Sequence, residues 1–209
     1  LSTKRKKKQP IIFNDIEFDS PEELEFYHWL VEAKDNRIIH EFNTSPDTYL
    51  LTPDVRIECV KYLKTKTKDV IRQLLKPHYY TPDFEFTVTD PRVPYFLNVY
   101  ASTTGSETIR YIVDVKNSTY SIYNNHREFS INQKLMFMKH GIYIPVIDPR
   151  KIFKATFVPE EIRYYKNRKV KTERKPFKGM YGVNDFLNQL AKFNGLGLNP
   201  SGYVIIPTE

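Results

Sequence analysis

The chain has 209 residues, 40% hydrophobic and 14% aromatic, which allows one sizeable packed core and excludes wholesale disorder. Its one cysteine, Cys59, excludes an internal disulfide, and no apolar run nears the roughly 18 residues of a membrane span. The formal net charge of +7 points toward anionic partners. With no apolar leader-like stretch at the start, the expectation is a soluble protein of a reducing cytoplasm.

In chain order, "TKRKKK" (3–8) sits in a basic flexible tail over residues 1–10. "FDSPEELEFYHWLVEAKD" (18–35) predicts a helix, with Ser20 as N-cap and Pro21 in the first turn. "RIIHEFNT" (37–44) predicts a strand, and "DVRIECVKYLKTKTKDVIRQLL" (54–75) predicts a helix for much of its length. "HYYTPDFEFTVT" (78–89) alternates and predicts a strand. "YFLNVYA" (95–101) and "TIRYIVDVK" (108–116) predict a hairpin around Gly105. A helix over 124–141 ended by Gly141, then a strand over 142–148, complete a mixed α/β core over residues 11–150. Residues 151–209 are expected to form a basic extension with short helices, one starting at Pro159 and one over 183–195 capped by Asn184 or Asp185 and stopped by Gly195.

Two basic segments flank that core. The second, "RYYKNRKVKTERKPFK" (163–178), interleaves tyrosine with Arg163, Lys166, Arg168, Lys169 and Lys171. Clustered Lys and Arg suit a phosphate backbone, and interleaved rings suit stacking on bases. These five residues are candidate nucleic-acid contacts. Their plain alternative is a solvated charged stretch.

The chemistry concentrates in "YIVDVKNS" (111–118), which reads as a buried strand yet carries Asp114 and Lys116 on one face, while Val113 and Val115 face the other way. Burying such charges is costly unless they are paired or bound to a metal. In "YYTPDFEF", Asp83 follows Pro82 and shares a face with Glu85 and Thr87. Two aspartates on neighbouring strands present hard oxygens suited to Mg²⁺, which needs one or two carboxylates and completes its shell with water and phosphate. Glu23 is a third candidate. Ser20-Pro21-Glu22-Glu23 also fits a capping box, in which Glu23 reaches back to the Ser20 N–H. Together Asp83, Asp114, Glu23 and the Val115 carbonyl are the expected metal ligands. Lys116 is expected to position water or steady charge on a phosphate.

"SPEELEFYHWL", "YYTPDFEF" and "YIVDVKNS", in that order, resemble the PD-(D/E)XK nuclease superfamily, with Pro82-Asp83 as the PD and Asp114-Val115-Lys116 as the D-x-K. The likeness is greatest to small phage-encoded endonuclease-like domains and covers about residues 18–147. The lysine on their following helix matches Lys134 in "EFSINQKLMF". The resemblance implies a restriction-endonuclease-like core, a central mixed sheet flanked by helices. It also implies Mg²⁺-dependent cleavage of DNA, with Mn²⁺ able to substitute, in the host cytoplasm if the source is a phage. His126, Arg127, Gln133 and Lys134 become candidates for phosphate contact beside the site. Dimerisation or a protein partner is compatible with the pattern. Two rival readings are a partner-dependent endonuclease similar to the subunit of heteromeric transposases, and a DNA-binding protein with a relic site.

Overall fold

Prolines, polar caps and alternating aromatic runs divide the chain into its elements. The computed structural model describes residues 10–104, 108–116, 127–163 and 182–193. β1 (Ile11–Phe13) and β2 (Ile16–Phe18) form a hairpin that has no counterpart among the expected elements. Asn14 and Asp15 turn it, both at positive φ (49° and 60°), a conformation these two residue types tolerate and tight hairpin turns require.

α1 (Pro21–Asp35) starts as expected, with Ser20 Oγ accepting from the Glu23 N–H. It buries Phe26, Trp29, Leu30 and Ala33 against the sheet. β3 (Glu41–Asn43) is shorter than the predicted strand, because the Ile38 and Ile39 amides still close onto Ala33 at the end of the helix.

The 54–75 segment is not helical. β4 (Tyr49–Thr52) pairs with β7 (His78–Tyr80), and between them β5 (Val55–Tyr62) pairs with β6 (Thr67–Leu75), all antiparallel. β-Branched Val55, Ile57, Val60, Thr67, Val70 and Ile71 favour the extended ribbon. The ribbon turns at Leu63–Lys66, where the Leu63 N–H donates to the Lys66 carbonyl at 2.8 Å.

β8 (Phe84–Val88) is therefore separate from β7: the predicted 78–89 strand breaks at Thr81–Asp83 into two different sheets. The 95–101 strand is also corrected. α2 (Val93–Leu97) occupies its start, with Pro94 in the first turn and Asn98 left-handed at φ 51° as the stop. The predicted hairpin survives only as β9 (Thr103–Thr104) against the first residues of β10 (Ile109–Val115). Gly105 lies outside the described residues.

α3 (Arg127–His140) ends at Gly141, whose φ of 65° suits glycine. β11 (Val146–Ile147) is the paired part of the predicted 142–148 strand. α4 (Pro149–Ala155), α5 (Glu160–Arg163) and α6 (Val183–Lys192) follow. The N-cap of α6 is Gly182, not Asn184 or Asp185; Asp185 instead accepts the Gly182 N–H at 3.1 Å. Its expected stop, Gly195, lies outside the described residues.

The central sheet has the order β11-β10-β8-β3, with β10–β11 parallel and the other pairs antiparallel. One face packs Phe84, Phe86, Val88, Tyr111, Val113 and Val115 onto α1. On the other, Ile112 meets Leu51, Tyr80, Met136, Ile142 and Ile144. The expected boundary at 150/151 falls inside α4, and Phe153, Phe157, Ile162, Phe186 and Leu190 share the α1-side core. Among the described residues, no helix is long and apolar enough to cross a membrane.

Candidate active site

The strand alternation of β10 sets the site. Tyr111, Val113 and Val115 are buried toward α1, so Ile112, Asp114 and Lys116 look toward α3 and the β4–β7 stem. Further along this face Arg110 pairs with Glu85 across β8 and balances it. At the strand end the balance fails: Asp114 is almost fully buried beside Asp83, and Lys116 is their one ion-pair partner among the described residues. Its Nζ lies 3.5 Å from an oxygen of each.

Asp83 is fixed before β8 begins. Its own N–H donates to the Val113 carbonyl at 3.1 Å, and its Oδ2 accepts the Val115 N–H at 2.7 Å. A strand residue's N–H and C=O point to the same edge, so the Val115 carbonyl faces the Asp83 side as well. Burial, followed by the charge of Asp114, pushes Asp83 up to about 7; Lys116 and the Val115 N–H act in the opposite direction. A hydrogen-bonding contribution from the Asp114 side chain raises Asp83 a little further.

Tyr80, missed at the sequence level, completes the arrangement. Its hydroxyl donates to Asp114 Oδ2 at 2.8 Å from within the core. A buried aromatic in "YYTPDF" reads as packing; its position three residues before Asp83 is the only sign that its hydroxyl reaches the site.

Glu23 sits at the N-terminal turn of α1. One carboxylate oxygen accepts the Asp19 N–H at 2.9 Å and the other accepts the Ser20 hydroxyl at 2.8 Å. The capping interaction is present, with Asp19 rather than Ser20 supplying the backbone N–H. Burial first, then the negative charge of Asp83, raise its pKa, so Glu23 lies within electrostatic reach of Asp83. Among the described residues, no three His, Cys, Asp or Glu side chains stand close enough to hold a metal together.

Among the described residues, none of the remaining candidates bonds to Asp83 or Asp114. Gln133 donates to the Ile144 carbonyl at 2.6 Å and so braces the approach to β11. Lys134 is exposed on α3, and no described hydrogen bond or ion pair ties it to the aspartates. Arg163 donates twice to the Val158 carbonyl, at 3.2 and 2.6 Å. Arg127 opens α3, while His126, Lys166, Arg168, Lys169 and Lys171 lie outside the described residues.

The chain matches no protein-family model, no curated protein and no solved structure.

Proposed function

We propose that this chain is a Mg²⁺-dependent DNA endonuclease with a PD-(D/E)XK-type site in a restriction-endonuclease-like core. The observation that carries the reading is the charge imbalance at the end of β10. Two adjacent, largely buried carboxylates share a single lysine, and Asp83 is driven to about 7. A hard divalent cation is the species that relieves such a pair. Asp83 and Asp114 would hold it, with the Val115 carbonyl on the same edge and Glu23 completing the surroundings through a water's oxygen. When bound, the cation supplies polarisation of a phosphate oxygen and a more acidic water.

The protein's own groups supply the rest. The Tyr80 hydroxyl and the Val115 N–H fix one oxygen of each aspartate, so the remaining oxygens are oriented before any ligand arrives. Lys116 holds a positive charge beside both carboxylates, where it can orient a nucleophile or stabilise charge on a phosphodiester. DNA is the substrate favoured by the excess of lysine and arginine.

The test is cleavage of plasmid, linear duplex, single strand, flap and four-way junction with Mg²⁺, with Mn²⁺ and with EDTA. Asp114→Asn and Lys116→Ala are expected to lose at least ~100-fold in rate while still binding DNA. Asp83→Ala is the matching negative control. Parent-level cutting by either variant sinks the assignment. DNA binding without cleavage under every condition favours the relic or partner-dependent readings.

A further inference from the structure

The β5–β6 ribbon is the largest part of the described chain that the site does not use. None of residues 53–77 is buried, although Ile71, Leu74 and Tyr62 are among them (71%, 57% and 80% exposed). An exposed two-stranded ribbon has no core of its own, so its shape calls for a partner.

Its charge pattern says which kind. Directly paired residues share a face. One face carries Ile57 opposite Arg72, Cys59 opposite Val70, and Lys61 opposite Lys68. The other carries Arg56 opposite Gln73, Glu58 opposite Ile71, Val60 opposite Asp69, and Tyr62 opposite Thr67. Both carboxylates of the ribbon are thus on the second face, and the first holds three cations and no acid. Lys64 and Lys66 add two more cations in the turn. Among the described residues, no carboxylate pairs with Lys61, Lys64, Lys66, Lys68 or Arg72. Like charges directly opposite one another weaken a ribbon. Lys61 against Lys68, with two more lysines in the adjoining turn, is a cost that a polyanion would remove.

The stem that carries the ribbon reaches the aspartates at its far end. The β4–β7 stem continues into β5–β6, and Tyr80 at the end of β7 is the donor to Asp114. Leu51 and Tyr80 pin that stem into the core. Eight residues of β5 extend roughly 26 Å at ~3.3 Å each, about seven to eight base pairs of duplex. A two-stranded ribbon fits the major groove.

We propose that β5–β6 is an arm that grips duplex DNA beside the phosphodiester that a cation at Asp83 and Asp114 would engage. Lys61, Lys64, Lys66, Lys68 and Arg72 contact the backbone. The proposal deepens the nuclease reading and rests on it for the placement of the cut. Its test does not depend on cleavage. A fluorescein-labelled 30-base-pair duplex is titrated with full-length protein in EDTA, and anisotropy is followed across a salt series. The variant replaces Lys61, Lys64, Lys66, Lys68 and Arg72 with Ser. A second variant joins Thr52 to His78 through Asn-Gly and removes the ribbon.

Both variants are expected to bind at least ~10-fold more weakly near 0.1 M salt, with a salt slope shallower by about three to five units, at ~0.9 per lost phosphate contact. Unchanged melting temperatures would exclude a folding defect. Binding and slope equal to the parent's overturn the arm, as does a parent that binds no duplex. Parent binding that both variants lose, without Mg²⁺-dependent cutting by the parent, upholds the arm and removes the reading of a nuclease that cuts alone. Cutting that is lost in Asp114→Asn but untouched in both ribbon variants does the reverse.

Discussion

Asp83 is the residue whose ionisation the fold opposes most clearly. Burial and the neighbouring Asp114 raise it to about 7, against an unfolded value of ~3.9. A carboxyl raised in the native state contributes stability that is fully present below the unfolded value and lost as pH rises through the native one. In EDTA, Asp83 therefore lowers the melting temperature progressively between about pH 4 and pH 7. Glu23, also raised, adds in the same sense, whereas Asp90, held down by its hydrogen bond to Arg92, acts in the opposite sense. The informative quantity is thus the difference between parent and Asp83→Asn. The variant is expected to be the more stable protein at pH 8, with the gap much narrower at pH 5. Calorimetry at both pH values measures it, and a gap of the same size at both rules out Asp83 as the source. Millimolar Mg²⁺ at pH 8 should raise the parent's melting temperature and leave Asp83→Asn unmoved; stabilisation reaches ~2.7 kcal/mol when the ion is at 100 times its Kd. Equal shifts in both proteins would place the cation elsewhere.

At the scale of elements, α1 owes its start to Ser20, whose extended backbone and hydroxyl meet the Glu23 N–H while Glu23 reaches back. Ser20→Ala is expected to cost about 1 kcal/mol in urea denaturation, and an unchanged midpoint would show that the cap contributes nothing to the helix. The same chemistry explains what could be read in advance. α1 and α3 were legible because Ser20-Pro21 and Gly141 punctuate them. The Asp83, Asp114 and Lys116 grouping was legible because charges interrupt strands whose other residues belong in a core. The ribbon was not, since periodicity reports burial and nothing there is buried, and its Leu63–Lys66 turn lacks the glycine or asparagine that marks tight hairpins. α2 was hidden for a different reason: Tyr95, Phe96, Val99 and Tyr100 favour strands, but Pro94 and left-handed Asn98 close one helical turn that packs Phe96 against Phe186. Tyr80 could not be placed at Asp114 from sequence, because only the pairing of β4 with β7 aims its hydroxyl.

For the whole molecule, the question is whether the sheet and α1 stand without the C-terminal third. Trp29 answers it in outline. Its ring stacks on Phe26 and on Phe157, and its indole N–H donates to Thr156 Oγ, which in turn donates to the Ile152 carbonyl. Phe157 and Phe96 both meet Phe186 on α6. A chain ending at residue 150 would leave the indole N–H of Trp29 without Thr156 and strip Phe153, Phe157, Val158, Ile162, Phe186 and Leu190 from the α1-side core. Each such side chain contributes about 1.5–3 kcal/mol when fully buried. Losing six approaches or exceeds the 5–15 kcal/mol by which whole domains are stable. Residues 10–150 alone are therefore expected not to fold, giving no near-UV circular dichroism and no cooperative urea transition. In the full chain, Phe186→Ala should cost ~3–5 kcal/mol within a single transition, because α6 and the sheet unfold together. A cooperative, dispersed 10–150 fragment would mean that the elements after residue 150 decorate a self-sufficient core. Its absence would mean that Asp83 and the end of β10 owe their position partly to elements that follow residue 150 in the chain.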